Sequence, residues 1–504
     1  MHFKQCIHHT GLHMRDGHIL ATVDLGSNSF RIEMARLDHG QLVRLDYYKE
    51  PVRLGAGLDA DGNLTAEAIE RGVACLGRFA ERLRGLTPDA VRAVATQSLR
   101  SAKNPEAFLI PAQAALGYPI EIISGQEEAR LIYQGVANAL PKDHKTRLVV
   151  DIGGGSTELI VGINTDAHRM DSMKIGCVSH TLKFFNNGKI TEKAFEKAVI
   201  AAAAVFEEVS ESFHSEFWQV AYGSSGTIET ISELCGQLKL SGMSSDKITR
   251  EGMAEIARII TNSDPKKWPF PELKAQRAQV LAGGLAVLMG LFQAFNVQSM
   301  SPCYSALRQG VMVDLLGRDM GDDVREQSIA RLAKRWTVDH AQAIRVQSMA
   351  LDLLAKVRNT VKVTEAQWLI WAARTHEVGM AISHDGFHRH GDYILRNAEL
   401  AGFSRAEQAH LAQLVLTQRG GLRKSVDLLN NPSIAQEILC LRVAILLCHA
   451  RTDVGAPNCV LRFDGKHIQW RCDEAWRNKF PLSAYLLDEE WRAWEKMGIT
   501  VSAH

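Results

Sequence analysis

The sequence predicts an α/β fold built from two copies of one unit, then an almost wholly helical region, then a small β-containing end. Three observations lead there. Asp24-Leu-Gly-Ser-Asn-Ser-Phe follows the apolar run 19–23, and Asp151-Ile-Gly-Gly-Gly-Ser-Thr-Glu follows 148–150, so one strand–Asp–Gly/Ser turn occurs twice. Each copy leads into a second apolar run, 30–37 or 159–163, which makes each a β-hairpin with a small-residue turn. Beyond about Gly321 the alternation stops and helical periodicity takes over.

The elements follow in order. The first hairpin continues into a strand over 41–48. Thr65 is an N-cap, and Ile69, Val73, Leu76, Phe79, Ala80 and Leu83 hold helical spacing after it. A strand over 91–96, a helix over 105–116, a strand over 120–123 and a helix over 126–140 complete the first copy. The second copy adds strands near 172–175 and 219–222, with helices over 192–213, 227–235 and 276–295. Residues 325–450 read as helices over 328–336, 341–357, 365–378, 393–400, 405–417 and 435–450. Alternation returns at 460–463 and 467–470. The expected organisation is a flexible extension (1–18), lobe I (19–133), lobe II (134–316), a helical domain (317–453) and a small C-terminal α+β cap (454–504).

Composition excludes several function classes. The 504 residues suggest three or four domains at about 150 residues each. Lys+Arg is 58 and Asp+Glu is 57, so a basic nucleic-acid coat and an acidic disordered tail are both excluded for the whole chain. No nucleic-acid partner is expected. A hydrophobic share of 46% is that of a globular chain. Nine widely spaced cysteines with no Cys-x-x-Cys point to free thiols in a reducing cytoplasm. The longest apolar run, 280–292, is 13 residues where a membrane span needs about 20. It is read as a buried helix, with no stable membrane insertion and at most peripheral association. Residues 1–18 carry His2, His8, His9, His13 and His18 without an apolar stretch, so they are a loose extension, with Met14 a candidate start, rather than a signal peptide. Metal binding by these histidines is the weaker reading, because termini are seldom ordered.

The two turns carry the chemistry. A Gly/Ser hairpin turn exposes backbone N–H groups without side-chain bulk, a nest suited to phosphate oxygens. Ser27, Asn28, Ser29, Ser156 and Thr157 add donors. Asp24 and Asp151 end the strands beside the nests, where bare carboxylates would repel phosphate and a bridging Mg²⁺ makes better sense of them. One such turn is most often only a hairpin; two, each led by Asp, could grip a phosphate chain from both sides. These are not Walker or Rossmann loops, since Gly-x-x-x-x-Gly-Lys is absent and the turns lead into strands.

At these residues the chain resembles the exopolyphosphatase/guanosine pentaphosphate phosphohydrolase (Ppx/GppA) family, within the actin–sugar kinase–Hsp70 superfamily. The resemblance rests on Asp24-Leu-Gly-Ser-Asn-Ser-Phe, Ala95-Thr-Gln-Ser-Leu-Arg100, Ile122-Ile-Ser-Gly-Gln-Glu-Glu-Ala-Arg130, Asp151-Ile-Gly-Gly-Gly-Ser-Thr-Glu158, Gly223-Ser-Ser-Gly-Thr227 and Ala306-Leu-Arg308. Arg374-Thr-His-Glu-Val-Gly379 and His384-Asp-Gly-Phe-His-Arg-His390 are similar to the helical, HD-like domain of long members. The chain looks closest to the long bacterial exopolyphosphatases. The resemblance implies two RNase-H-like lobes with a cleft between them, Mg²⁺ or another divalent ion, activation by a monovalent cation, and a homodimer. It implies release of orthophosphate from inorganic polyphosphate. Hydrolysis of guanosine pentaphosphate (pppGpp) is the alternative, and a superfamily kinase or a non-catalytic polyphosphate binder ranks lower.

Carried residue by residue, the resemblance makes Glu128 the general base and Glu127 its support. Asp24, Asp151 and Glu158 face metal and phosphates; Gly26, Ser27, Asn28, Ser29, Gly153, Gly154, Gly155 and Ser156 form the two turns. Arg100 is placed near the phosphate chain. Physical chemistry pulls Glu128 both ways: a helix N-terminus lowers a carboxyl's pKa, while Glu127 and bound polyanion raise it. Two positions depart from the family pattern, with Tyr304 where an Asp is common and Gln309 where a Glu is common. His376-Glu377, His384, His388 and His390 invite a metal reading, with Glu377 where an HD site has Asp. A polyanion path through a loop holding His388-Arg389-His390, with Arg419, Arg423 and Lys424, is preferred to it. A solvated structural loop is the remaining reading.

Overall fold

The computed structural model describes residues 15–186, 188–238, 247–264, 268–319, 322–358, 361, 363–452 and 458–503, and these fall into two compact units, one ending at Asp323 and the other beginning at Val324. His2, His8, His9, His13 and the Lys424 side chain lie outside what is described. His18 accepts a hydrogen bond from the Arg15 N–H on its Nδ1 at 3.1 Å.

In the first unit Ile19–Leu25 (β1), Phe30–Asp38 (β2) and Gln41–Glu50 (β3) form an antiparallel meander. Val91–Ala95 (β4) and Ile120–Ile122 (β5) join it in parallel, giving the order β3-β2-β1-β4-β5. The second sheet contains Thr146–Ile152 (β6), Thr157–Ile163 (β7), Asp166–Met173 (β8), Val220–Ser224 (β9), Ile248–Thr249 (β10) and Ser299–Pro302 (β11), in the order β10-β11-β9-β6-β7-β8. Read from its far edge, β8-β7-β6-β9-β11 repeats the order of the first sheet, with β10 added antiparallel beyond β11. The sequence repeat is therefore a repeat of RNase-H-like topology. Central strands such as β4 are buried on both faces, hence their unbroken apolar runs, whereas the edge strand β3 alternates weakly because much of it is exposed.

Helices cover both sheets. Ala66–Leu83 (α1), Gln97–Ser101 (α2), Pro105–Leu116 (α3) and Gly125–Ala139 (α4) accompany the first. Thr65 caps α1 as expected, accepting from the Ala68 N–H, and Cys75, Leu76, Phe79 and Leu83 are buried along one face. Cys177–Phe184 (α5), Glu192–Glu207 (α6), Ser210–Phe213 (α7), Ser225–Leu238 (α8), Arg250–Asn262 (α9), Ala275–Ala294 (α10) and Leu307–Asp319 (α11) accompany the second. Length and composition would let α10 cross a membrane, but Leu281, Leu285, Leu288 and Phe292 form the core of this lobe. The expected helix over 192–213 is two helices, and α5 is a helix that the sequence does not predict. Only Cys177 and His180 of α5 are buried, so no apolar period announces it.

The second unit holds Val324–Arg335 (α12), His340–Val357 (α13), Val363–Thr375 (α14), Phe387–Asn397 (α15), Arg405–Thr417 (α16), Val426–Leu429 (α17) and Pro432–Leu447 (α18). Cys459–Phe463 (β12), His467–Cys472 (β13), Glu474–Lys479 (α19), Pro481–Glu495 (α20) and Thr500–Ala503 (β14) follow. One continuous core includes Leu353, Trp371, Leu411 and Leu439 together with Trp470 and Trp494 of the C-terminal part. The loop expected around His388-Arg389-His390 is instead the start of α15. Phe387, Gly391, Ile394 and Leu395 bury one face of that helix, a pattern a glycine and flanking charges conceal.

Candidate active site

Both turns face one cleft of the first unit. Each lies where a buried central strand stops and its hairpin partner begins, so 26–29 and 153–156 sit at the same point of the two sheets. Gly26, Ser27, Asn28, Ser29, Gly153, Gly154 and Ser156 line the cleft with Asp24, Asp151 and Glu128. The turns nearly touch, since a Cβ on Gly154 would stand 3.1 Å from the Ser27 Cβ. A side chain at Gly154 would therefore wedge the lobes apart. Gly155 is not on the cleft wall; it faces Gln97, whose Cγ a Cβ would meet at 3.1 Å.

Ser124 caps α4, its Oγ accepting from the Glu127 N–H at 3.1 Å. Neighbours on a helix point about 100° apart, so Glu127 and Glu128 face different surroundings. Glu128 lines the cleft and accepts from Arg100 Nη1 at 2.7 Å. Glu127 turns inward and accepts two bonds of 2.8 Å from Arg130. Glu127 is thus absent from the cleft, against its expected catalytic support. Arg100, expected beside the phosphate chain, stands behind Glu128 and also donates to the Ile123 carbonyl at 3.0 Å. Glu158, expected among the metal-facing groups, is buried off the cleft wall and accepts from Ser172 Oγ at 2.9 Å.

Burial dominates the electrostatics. It raises the Glu128 carboxyl above its ordinary value, with Asp151 and Asp24 adding to the shift and Arg100 opposing it. Asp151 is pushed up to about 6 by burial, against a hydrogen bond from Ser224 and the charge of Arg31. Glu158 is raised well above the carboxylate range by burial and by the charges of Glu128 and Asp151.

Four cations stand around the same space and were not assigned from sequence. Arg31, Arg277 and Arg308 line the cleft. Arg308 donates to Glu33 at 3.0 Å, lies 3.8 Å from Asp24 and covers the Tyr47 ring at 5.1 Å. Lys49 is cross-strand to Arg31. Burial, then Arg277 and Arg31, lower it to about 8. Arg31 follows the first turn by two residues, a signal that alternation along β2 could have used. Arg277 belongs to α10 and had none. Ser225, also on the wall, has φ +87°, a left-handed value rare outside glycine, and its Oγ donates to the Ile152 carbonyl at 2.9 Å.

Residues 34–319 match the Ppx/GppA phosphatase family, and residues 324–491 match Ppx/GppA phosphatase, domain III. The chain belongs to the Ppx/GppA phosphatase family. It is a hydrolase of phosphoanhydride bonds. It is 34% identical over 487 residues to a guanosine-5′-triphosphate,3′-diphosphate pyrophosphatase of Pseudoalteromonas translucida, which covers 95% of this chain and 97% of the relative. A solved Ppx/GppA family member from Aquifex aeolicus is 25% identical with a TM-score of 0.50, covering 60% of this chain and 98% of its own. An exopolyphosphatase from Cytophaga hutchinsonii, 20% identical with a TM-score of 0.53 over 60% of this chain and 98% of its own, shares the fold.

The two departures from the family pattern now have surroundings. Tyr304 is 68% exposed. Gln309 donates to both Glu33 oxygens at 2.9 Å, a contact that a glutamate there would turn into repulsion. In domain III, Nδ1 of the buried His376 ring is 2.6 Å from the Ala373 carbonyl. The Glu377 carboxylate accepts from Arg451, which also reaches Asp339 at 3.0 Å. The position suited to a metal ligand is thus closed by a guanidinium.

Proposed function

We propose that this chain removes the 5′-terminal phosphate of guanosine pentaphosphate, with Glu128 as general base. The likeness to a guanosine-5′-triphosphate,3′-diphosphate pyrophosphatase over nearly both chains carries the substrate choice. It favours this substrate over inorganic polyphosphate, which the motifs alone put first. The charge of the cleft agrees. Two turns suffice to hold a triphosphate end, and Arg31, Lys49, Arg277 and Arg308 supply further cation suited to a second, 3′-diphosphate group.

Glu128 accepts a proton from water as the water oxygen bonds to the terminal phosphorus. The bond from that phosphorus to the bridging oxygen breaks, and the bridging oxygen leaves with the electron pair on guanosine tetraphosphate. N–H groups and hydroxyls of the turns hold the non-bridging oxygens as charge spreads over them. Arg100 orients the Glu128 carboxylate and leaves its second oxygen for the water. Asp24 and Asp151 fit a Mg²⁺ ion, which commonly takes one or two carboxylates and completes its shell with substrate phosphates and water. When bound, the ion would neutralise phosphate charge.

Inorganic polyphosphate presents the same terminal anhydride and is the second reading. Arg389, Arg419 and Arg423 are exposed within domain III and favour it, as cations of the kind a polyanion attracts. The test is orthophosphate release with Mg²⁺ from guanosine pentaphosphate, long-chain polyphosphate and ATP at matched terminal-phosphate concentrations. Guanosine pentaphosphate should have the highest kcat/KM. A clear preference for polyphosphate would sink the substrate assignment and leave the hydrolase intact.

A further inference from the structure

Six charged groups lie behind α4, on the side away from the cleft. Arg92 of β4 donates through Nη1 to Asp314 at 2.6 Å, and through Nε and Nη2 to Glu121 at 3.1 and 3.0 Å. Arg130 of α4 holds both oxygens of Glu127 and reaches Asp314 at 2.5 Å. Arg318 donates to Asp314 at 3.1 Å. Three guanidiniums meet three carboxylates, so the cluster is balanced in charge. Asp314 is its centre: it is 3% exposed, it accepts from all three arginines, and they hold its carboxyl far below the usual range despite burial.

Buried ion clusters are weak sources of net stability, so the connections of this one matter more than its energy. It joins three elements that each carry part of the cleft. β4 runs into Thr96 on the cleft wall and then α2, whose Arg100 holds Glu128; α4 carries Glu128; α11 carries Arg308. α4 and α11 already meet backbone to backbone, since a Cβ on Gly310 would stand 1.7 Å from the Leu131 carbonyl oxygen. That contact sets the spacing of the two helices. The rotation of α4 about its own axis decides where Glu128 points. The close approach of Gly135 to the Ala306 carbonyl bears on that rotation further along the helix, and Glu127, one residue before Glu128 and locked in the cluster, holds it at the end that carries the base.

We propose that Asp314 is a positioning residue for the hydrolysis: by holding Arg92 and Arg130 it fixes Glu127, and thereby the rotation of α4 that aims Glu128 into the cleft. The inference rests on Glu128 being the base.

Asp314→Asn keeps the shape and removes the charge that gathers the arginines. With whichever of guanosine pentaphosphate and polyphosphate the wild type turns over, kcat per folded molecule should fall about 30-fold while KM moves less than about threefold, because misaiming acts on the reacting geometry rather than on substrate binding. Asp314→Glu should recover most of the rate. Glu127→Gln, a milder change in the same cluster, should give the same kcat-against-KM split and serves if Asp314→Asn does not fold. A merely structural role would lower the melting temperature and leave kcat of the folded protein at the wild-type value, and that result overturns the proposal. Glu128→Gln is measured alongside. If it stays active, the base assignment fails and this inference falls with it. If it is inactive while folded Asp314→Asn and Glu127→Gln turn over normally, the positioning role alone is wrong.

Discussion

The cleft of the first unit and the His376–Glu377 cluster of the second both read as gatherings of ionisable side chains, and they differ in what those groups are bonded to. The side chains of Arg277, on the cleft wall, and Lys49, cross-strand to Arg31, make no hydrogen bond or ion pair among the described residues, and Arg31 lies 3.9 Å from Asp24. In the second unit, Arg451 bridges Glu377 and Asp339, and His376 is tied to the Ala373 carbonyl. Half-buried charge left unpaired around open space is poised for a ligand; charge closed upon itself holds a fold together. The residue types in the two clusters are much the same, so composition does not separate them.

The contrast can be broken first at Glu128. Glu128→Gln should lower kcat about 1,000-fold in an orthophosphate-release assay, within the range for losing a general base. A fall of less than tenfold would move the base elsewhere. Next, Arg277→Ala should raise KM for guanosine pentaphosphate about 10- to 100-fold, the equivalent of one hydrogen bond to a charged group. An unaltered KM would make its unpaired state incidental. A smaller effect sharpens the electrostatics of the site. Burial raises the Glu128 carboxyl, and the deprotonated form is the active one, so kcat/KM should fall as pH drops through a limb lying above the ordinary glutamate value. Arg100 opposes that rise, so Arg100→Gln should move the limb to higher pH, and a limb moving the other way would contradict a lowering of the Glu128 pKa by the Arg100 charge. Least of all, Arg451→Met should leave turnover within about twofold and cost about 1 kcal/mol of stability, as for a partly exposed ion pair. A large loss of activity would make the second cluster functional after all.

Legibility from sequence followed locality. The two turns could be read because Asp, Gly and Ser stand together at the end of an apolar strand, and contiguous backbone makes the nest. The Thr65 cap and the α1 face were readable for the same reason. The start of α15 was not, because its buried face runs through Gly391 amid histidines and arginines. Glu127 and Glu128 form a pair in the sequence, and the role of each depends on the phase of α4 against Arg130 and Arg100. Arg100 was legible as a site residue, and its bond to the Glu128 carboxylate was not, because it joins α2 to α4.

The duplicated hairpin, the pair of Gly/Ser turns, the adjacent glutamates at the start of α4 and the change to a helical second part are all written in residues close along the chain, and the sequence alone was enough to read them. Only tertiary structure decided which carboxylates reach the cleft and where the cations gather. Arg31, Lys49, Arg277 and Arg308 come from β2, β3, α10 and α11, and the Asp314 cluster joins β4 to α4 and α11. Such groups become neighbours through packing between distant elements, and no spacing along one chain segment encodes it.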